Sequence, residues 1–252
     1  MKSAKSVAIN AARAAGKIIL NDFYKKKNIF AKGKKDFTTN VDKACEKKII
    51  SIIKKEFSKH SILSEECGEE NNNSEFKWII DPLDGTLNYT SGLPFFCTSI
   101  ALTKNKEIIV GVVFDPLRND LYVAEKGKGS FVNGKRLHVS NTNKLDDFFV
   151  SIGIGKTRVS EGFKNFSVLI DSVRRMRYLG STALELCLVA RSVFDAHATA
   201  STTAWDASAG VLIAEEAGAL ITNFDGNSWT VDDKTLVVSN GKKHREILKC
   251  LH

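Results

Sequence analysis

Apolar residues recur at helical spacing near the start of the chain. Val7, Ala11, Ala14, Ala15, Ile18 and Ile19 share one face and predict an amphipathic helix over roughly 4–26. The same periodicity returns over about 41–57, after Thr38-Thr39-Asn40, which offers capping side chains. The pattern then changes. Phe76 to Ile80 reads as a strand that stops abruptly at Asp81-Pro82-Leu83-Asp84-Gly85-Thr86, with a short helix from Leu87. Strand-like runs follow at 96–103, 107–114 and 120–125, joined by turn residues with no helix between them, which predicts an antiparallel sheet. From about residue 145 strands and helices alternate: strands near 148–152, 177–179, 193–198 and 236–239, and helices near 161–173, 181–191 and 207–217. The pattern predicts one body with two subdomains, an N-terminal α+β part (1–144) and a C-terminal α/β part (145–252). All three prolines fall between 82 and 116, so no proline-rich linker divides them.

Composition narrows the class. At 252 residues, 43% hydrophobic and 26% charged, the chain is long enough for a sizeable core and too balanced for a disordered polyelectrolyte. No apolar run reaches the ~20 residues of a membrane-spanning helix. Cys45, Cys67, Cys97, Cys187 and Cys250 are scattered and never in C-x-x-C spacing, which argues against a disulfide framework and a cysteine zinc site and points to a reducing cytosol. The basic, acid-free start of the chain has the charge of an organellar transit peptide, but its apolar spacing favours a first core helix. A net charge of +8, with clusters at Lys25–Lys27, Lys32–Lys35, Arg174–Arg177 and Lys242–Arg245, suits an acidic partner. Aromatics are not interleaved with these clusters, which argues against a nucleic-acid groove and leaves a small phosphorylated substrate. The five histidines show no metal-ligand spacing.

The chemistry concentrates in carboxylates. A strand ending in Asp81 and Asp84, then Gly85-Thr86 at a helix start, sets anionic oxygens beside free backbone N–H groups, where a cation and a phosphate can share one spot. A D-P-x-D-G run is also an ordinary turn. Glu65-Glu66 after an apolar stretch and Asp206 at the start of a helix add acids to the same candidate site, although Asp206 also reads as a plain cap.

Asp36-x-Thr38-x-x-x-Asp42, Ser64-Glu65-Glu66, Asp81-Pro-Leu-Asp84-Gly85-Thr86-Leu-Asn88-Tyr89, Gly92-Leu-Pro94-Phe95, Gly180-Ser181-Thr182-Ala183 and Trp205-Asp206-x-x-Ala209-Gly210 stand in one order and spacing. Together they resemble the inositol monophosphatase family of magnesium-dependent, lithium-sensitive phosphatases, over nearly the whole chain. The resemblance implies a layered α-β-α-β-α sandwich and a cytoplasmic homodimer. It implies two or three Mg2+ per subunit, Mn2+ being an alternative. Glu65, Asp81 and the Leu83 carbonyl would hold the first ion and Asp81, Asp84 and Asp206 the second, with a weaker third near Glu65, Asp36 and Asp42. Thr86, paired with Asp42, would orient and deprotonate the attacking water, making Glu65, Thr86 and Asp42 the catalytic group. Asp84, Gly85 and Thr86 would hold the phosphate. Gly180, Ser181, Thr182, Thr199 and Asp206 would face the rest of the substrate.

Substrate choice is the weaker part of the resemblance. Inositol-preferring relatives carry a glutamate seven residues before the last aspartate, and here that position is Thr199, which brings no charged acceptor. The tract from Arg174 to Gly180 resembles members that also hydrolyse fructose 1,6-bisphosphate, so Arg174, Arg175 or Arg177 would grip a second phosphate. A 3'-phosphoadenosine 5'-phosphate or NADP phosphatase is a further reading, against which Asn88-Tyr89 argues. Outside the enzymes, a regulatory protein binding RNA or the transcription machinery remains open.

Overall fold

A computed structural model describes residues 2–25, 29–33, 36–155, 164 and 166–251, the side chains of 29–33, 36 and 37 excepted. Helix α1 (Ala4–Asp22) starts at a Ser3 cap and buries Val7, Ala11, Ala15 and Ile19 of the predicted face, with Ala14 and Ile18 half-buried and Ala8 and Ala12 buried beside them. It ends four residues earlier than the periodicity suggests. The hairpin β1 (Ile29–Gly33) and β2 (Asp36–Thr39) leads into α2 (Asn40–Glu56).

An eight-stranded sheet follows, built from β3 (Ser61–Ser64), β4 (Gly68–Glu70), β5 (Phe76–Asp84), β6 (Cys97–Lys104), β7 (Glu107–Asp115), β8 (Asp120–Glu125), β9 (Ser130–Val132) and β10 (Lys135–Arg136). Its order is β10-β9-β8-β7-β6-β5-β3-β4, antiparallel except for the β3–β5 pair. Both faces are covered. In β5, Trp78 and Ile80 join the core under α1 and α2, while Ile79 joins the core on the other side, as the two-residue period of a strand requires. The short helix α3 (Thr86–Ser91) closes the end of β5.

The C-terminal part carries a five-stranded mixed sheet, order β12-β11-β13-β15-β14, from β11 (Phe149–Gly153), β12 (Arg175–Arg177), β13 (Ala196–Thr199), β14 (Leu220–Thr222) and β15 (Leu236–Ser239). The predicted strand at 177–179 thus sits two residues earlier. Helices α4 (Ser167–Ser172) and α7 (His244–Lys249) share the outer core with Phe148, Val150 and Val237. Of the helix expected near 161–173, residues 161–163 and 165 lie outside the described residues, and α4 covers its C-terminal half.

Helices α5 (Thr182–Ala190) and α6 (Ala204–Glu216) lie between the two sheets, their apolar residues joining Val113 and Tyr122 of one sheet to Leu236 and Val238 of the other. The order of layers is therefore α-β-α-β-α. The Ala209-Gly210 pair is what lets α6 fit: a side chain on Gly210 would stand 2.8 Å from Leu186 Cβ and 3.2 Å from the Ala183 carbonyl. Among the described residues no helix is long and apolar enough to cross a membrane.

Candidate metal and phosphate site

The site begins with an irregularity in β5. Residues three apart on a regular strand point to opposite faces. Asp81 pairs with Ser99 but Asp84 pairs with Cys97, so three steps on β5 match two on β6. This bulge puts both aspartates on one face. Pro82 falls inside the bulge, where its missing N–H removes no ladder bond. Asp81 Oδ1 accepts the Leu83 amide at 2.9 Å. Asp84 Oδ2 accepts the Ser181 hydroxyl at 2.7 Å and the Ala183 amide at 2.8 Å, which fixes the carboxylate from the start of α5. Gly85 then turns the chain at φ 90°, and a side chain there would meet the Phe95 carbonyl at 2.9 Å.

Two further aspartates arrive at helix starts by one device. Thr39-x-x-Asp42 and Thr203-x-x-Asp206 both form capping boxes, the threonine hydroxyl facing the amide of the aspartate and the aspartate accepting the threonine amide, at 2.9 Å from Thr39 and 3.1 Å from Thr203. Asp42 is fully buried, and its other oxygen lies 3.1 Å from the Thr86 hydroxyl. That hydroxyl is also 3.0 Å from the Leu83 carbonyl, so its one proton has two acceptors. Asp206 joins Asp81 and Asp84: each offers a carboxylate oxygen, and these oxygens lie within 4.8 Å of one another.

Glu65 follows β3 directly, its amide on the Ile80 carbonyl, and its charge acts on both Asp81 and Asp84. The turn that carries it is tied down by Glu46 of α2, whose Oε1 takes the Glu66 amide at 3.1 Å, the Cys67 amide at 3.0 Å and the Ser64 hydroxyl. Burial first, then Glu65, Asp84 and Asp206, push the Asp81 carboxyl up. Burial and then Asp206 push Asp84 up to about 7, against the hydrogen bonds from Ser181 and Ala183. Among the described residues, the leading charges on both are those of neighbouring acids. An all-oxygen set of crowded carboxylates fits a hard divalent cation.

A cavity of about 220 Å³ opens beside the triad. Its lining includes Asp84, Asp206, Gly180, Thr182 and Thr199 of the expected residues, together with Gly153, Tyr178, Glu185 and Thr203. Ser181 does not line it but stands buried behind Asp84. Arg174, Arg175 and Arg177 are outside its lining and largely exposed. The Arg177 guanidinium lies over the Phe149 ring, 5.1 Å from its centroid. Asp36 begins β2, and its side chain lies outside the described residues, as do Lys26, Lys27, Lys34 and Lys35. Glu46 and Glu185 escape the motif reading. Glu46 has a faint signal, one helical turn after Asp42. Glu185 has a clearer one, the single charge in the otherwise apolar stretch Leu184–Ala190.

An acid triad with two buried members beside a small polar pocket, held between the sheets of this layered fold, belongs to a class of hydrolases that cleave phosphoric monoesters. The chain is a member of the inositol monophosphatase family, whose model matches residues 1–252. A Nus factor SuhB of Haemophilus influenzae is 40% identical over 231 residues, 89% of this chain and 86% of that protein. A fructose-1,6-bisphosphatase/inositol-1-monophosphatase of Aquifex aeolicus is 38% identical over 254 residues, 99% and 95% of the two chains. Among solved structures, an IMPase of Thermotoga maritima superposes with a TM-score of 0.91 at 34% identity over 98% of this chain and 95% of its own. The extragenic suppressor protein suhB of Bartonella henselae gives 0.93 at 30% identity over 98% and 97%.

Proposed function

We propose that the chain is a Mg2+-dependent phosphatase of small polyol phosphates, with inositol 1-phosphate as the leading substrate. The observation that carries this reading is the convergence of Asp81, Asp84 and Asp206, the first two buried, beside a pocket of sugar size. Asp81, Asp84, Asp206 and Glu65 would hold the cations. A bound divalent ion supplies Lewis-acid stabilisation of the phosphoryl oxygens and lowers the pKa of water. The protein's own residues do the rest. Asp42 accepts from Thr86, so the Thr86 hydroxyl can take a water's proton as it passes its own to Asp42. Backbone N–H groups at Gly85 and Thr86, at the start of α3, would receive the phosphate. Ser181 and Ala183 hold Asp84 in place throughout.

Phosphate release from inositol 1-phosphate, fructose 1,6-bisphosphate, 3'-phosphoadenosine 5'-phosphate and NADP, with Mg2+ and after chelation, tests the reading. Turnover of the first, abolished by chelation, is expected; metal-independent turnover or none at all overturns it. The printed name of the Aquifex aeolicus relative favours fructose 1,6-bisphosphate as a second substrate. The Nus factor relative supports a separate role at the transcription machinery, which salt-sensitive RNA retention would support.

A further inference from the structure

The turn from Tyr178 to Thr182 joins β12 to α5 and gives Tyr178, Gly180 and Thr182 to the cavity lining. It leaves a three-residue strand at the edge of the smaller sheet, and Arg177, Tyr178 and Gly180 are exposed. An exposed turn on so short an edge has few contacts of its own to hold it still. From within the C-terminal part, Glu185 holds the backbone of Leu179 and Ser181. The Leu179 carbonyl is held from the other half of the molecule. Asn88 of α3 donates its Nδ2 to that carbonyl at 2.7 Å and to the Phe95 carbonyl at 2.8 Å. Both partners can only accept, so it is the amide nitrogen that faces them, with both of its hydrogens engaged.

Each of these carbonyls stands at a wall of the site. The Phe95 carbonyl lies against Gly85, where a side chain would meet it at 2.9 Å. The Leu179 carbonyl precedes Gly180, which turns at φ 78°, and the nearest atoms to a side chain there would be Nδ2 and Oδ1 of Asn88, at 3.5 and 3.7 Å. Asn88 is itself fixed, because its own carbonyl takes the Leu93 amide at 2.8 Å while its side chain takes the Phe95 carbonyl. A single amide therefore ties the Gly85 turn of the N-terminal part to the Gly180 turn of the C-terminal part.

We propose that Asn88 is a positioning residue for substrate, its amide fixing the Tyr178–Thr182 turn against the Gly85 turn and so setting the width of the pocket before substrate arrives. This rests on the phosphatase reading above. Preorganisation of this kind acts on affinity: a turn left loose must be ordered on binding, and the free energy of ordering it is lost from every substrate that touches it. Inorganic phosphate, held at the cation end, does not reach the turn, whereas a phosphomonoester with a polyol body does.

Steady-state kinetics with inositol 1-phosphate, inhibition by inorganic phosphate and hydrogen exchange over residues 178–182, all on the protein with Mg2+, test this together. In Asn88→Ala the KM for inositol 1-phosphate is expected to rise about 10-fold, the size of one lost hydrogen bond, with kcat and the inhibition constant of phosphate nearly unchanged. Exchange over 178–182 is expected to quicken while α1 and α2 keep theirs. Asn88→Gln, which keeps an amide and displaces it by one methylene, is expected to show the same split in smaller measure, and it carries the comparison should the Ala variant unfold. Equal changes in KM, kcat and phosphate inhibition would make Asn88 a support of the fold alone and overturn the proposal while leaving the phosphatase reading intact. Unchanged exchange over 178–182 would do the same. If wild-type protein with Mg2+ hydrolyses none of the phosphate esters named above, the phosphatase reading itself fails and the role of Asn88 in placing substrate falls with it, whatever the exchange shows.

Discussion

The starts of α2 and α6 are built alike and used differently. Each is a Thr-x-x-Asp capping box in which the aspartate spends one oxygen on the amide of its own threonine. On α2 the second oxygen of Asp42 meets Thr86, and the carboxylate is sealed from solvent. On α6 the carboxylate of Asp206 remains partly exposed at the cavity and converges with Asp81 and Asp84. One local motif thus presents a carboxylate to a hydroxyl in one place and to two further acids in the other, which under the proposed function makes a proton acceptor of Asp42 and a cation ligand of Asp206. The difference lies in what packs opposite: a threonine on the α2 side, two acids on the α6 side. A cap is worth about 1 kcal/mol to its helix, and it also fixes the carboxylate's direction, which is what both roles need.

Asparagine at either position keeps an oxygen for the cap and removes the charge, so the pair of variants separates the roles. Asp206→Asn is expected to lower kcat/KM by about 1,000-fold or more, with weaker cation binding by calorimetry. Asp42→Asn is expected to lower kcat by about 100-fold with cation affinity nearly unchanged, because Thr86 loses its proton acceptor and no ligand of the triad is touched. Loss of cation binding in Asp42→Asn would break the comparison.

The ends of β5 and of the capped helices were legible because chemistry and turn formation ask for the same residues there. Asp81, Asp84 and Gly85 mark a strand end and a candidate cation site at once, and the motif spacing carried the layered fold with it. The bulge that turns Asp84 onto the face of Asp81 was not legible, since it depends on pairing with β6. Short strands such as β4, β9, β10 and β14 were missed for the same reason: two or three residues at or next to an edge have no period to detect, and only their neighbours define them. Arg174, Arg175 and Arg177 drew notice as a basic run, yet the pocket lining nearby is Tyr178 and Gly180. Glu46 was hidden by its surroundings, one acid on the polar flank of an amphipathic helix.

Glu46 sharpens the α2 side of the comparison. The same helix that presents Asp42 to Thr86 presents Glu46 one turn later to the turn carrying Glu65. Glu46→Gln keeps one acceptor oxygen but loses the charge that gathers two amides and a hydroxyl. Outer partners of ligands typically matter by 10-fold to 100-fold in metal affinity, and the lower end, about 10-fold weaker cation binding, is expected. A matching fall in kcat at saturating cation would instead assign Glu46 to the proton path.

The smallest effect is a pH dependence carried by the α2 aspartate. Burial raises the Asp42 carboxyl above its ordinary 3.8, although the Thr39 and Thr86 hydrogen bonds oppose the shift. Between that value and the raised one the folded protein binds more protons than the unfolded chain, so this group's contribution to stability falls as pH rises. Asparagine does not titrate. It can still accept the Thr39 amide, and the Thr86 hydroxyl can turn its proton to the Leu83 carbonyl, 3.0 Å away. In chelator, the thermal midpoint of Asp42→Asn relative to wild type is therefore expected to rise as pH is taken from below 3.8 toward neutrality, then to level off. A midpoint difference that stays flat with pH would mean that the cap and Thr86 hold Asp42 ionised at no cost to the fold.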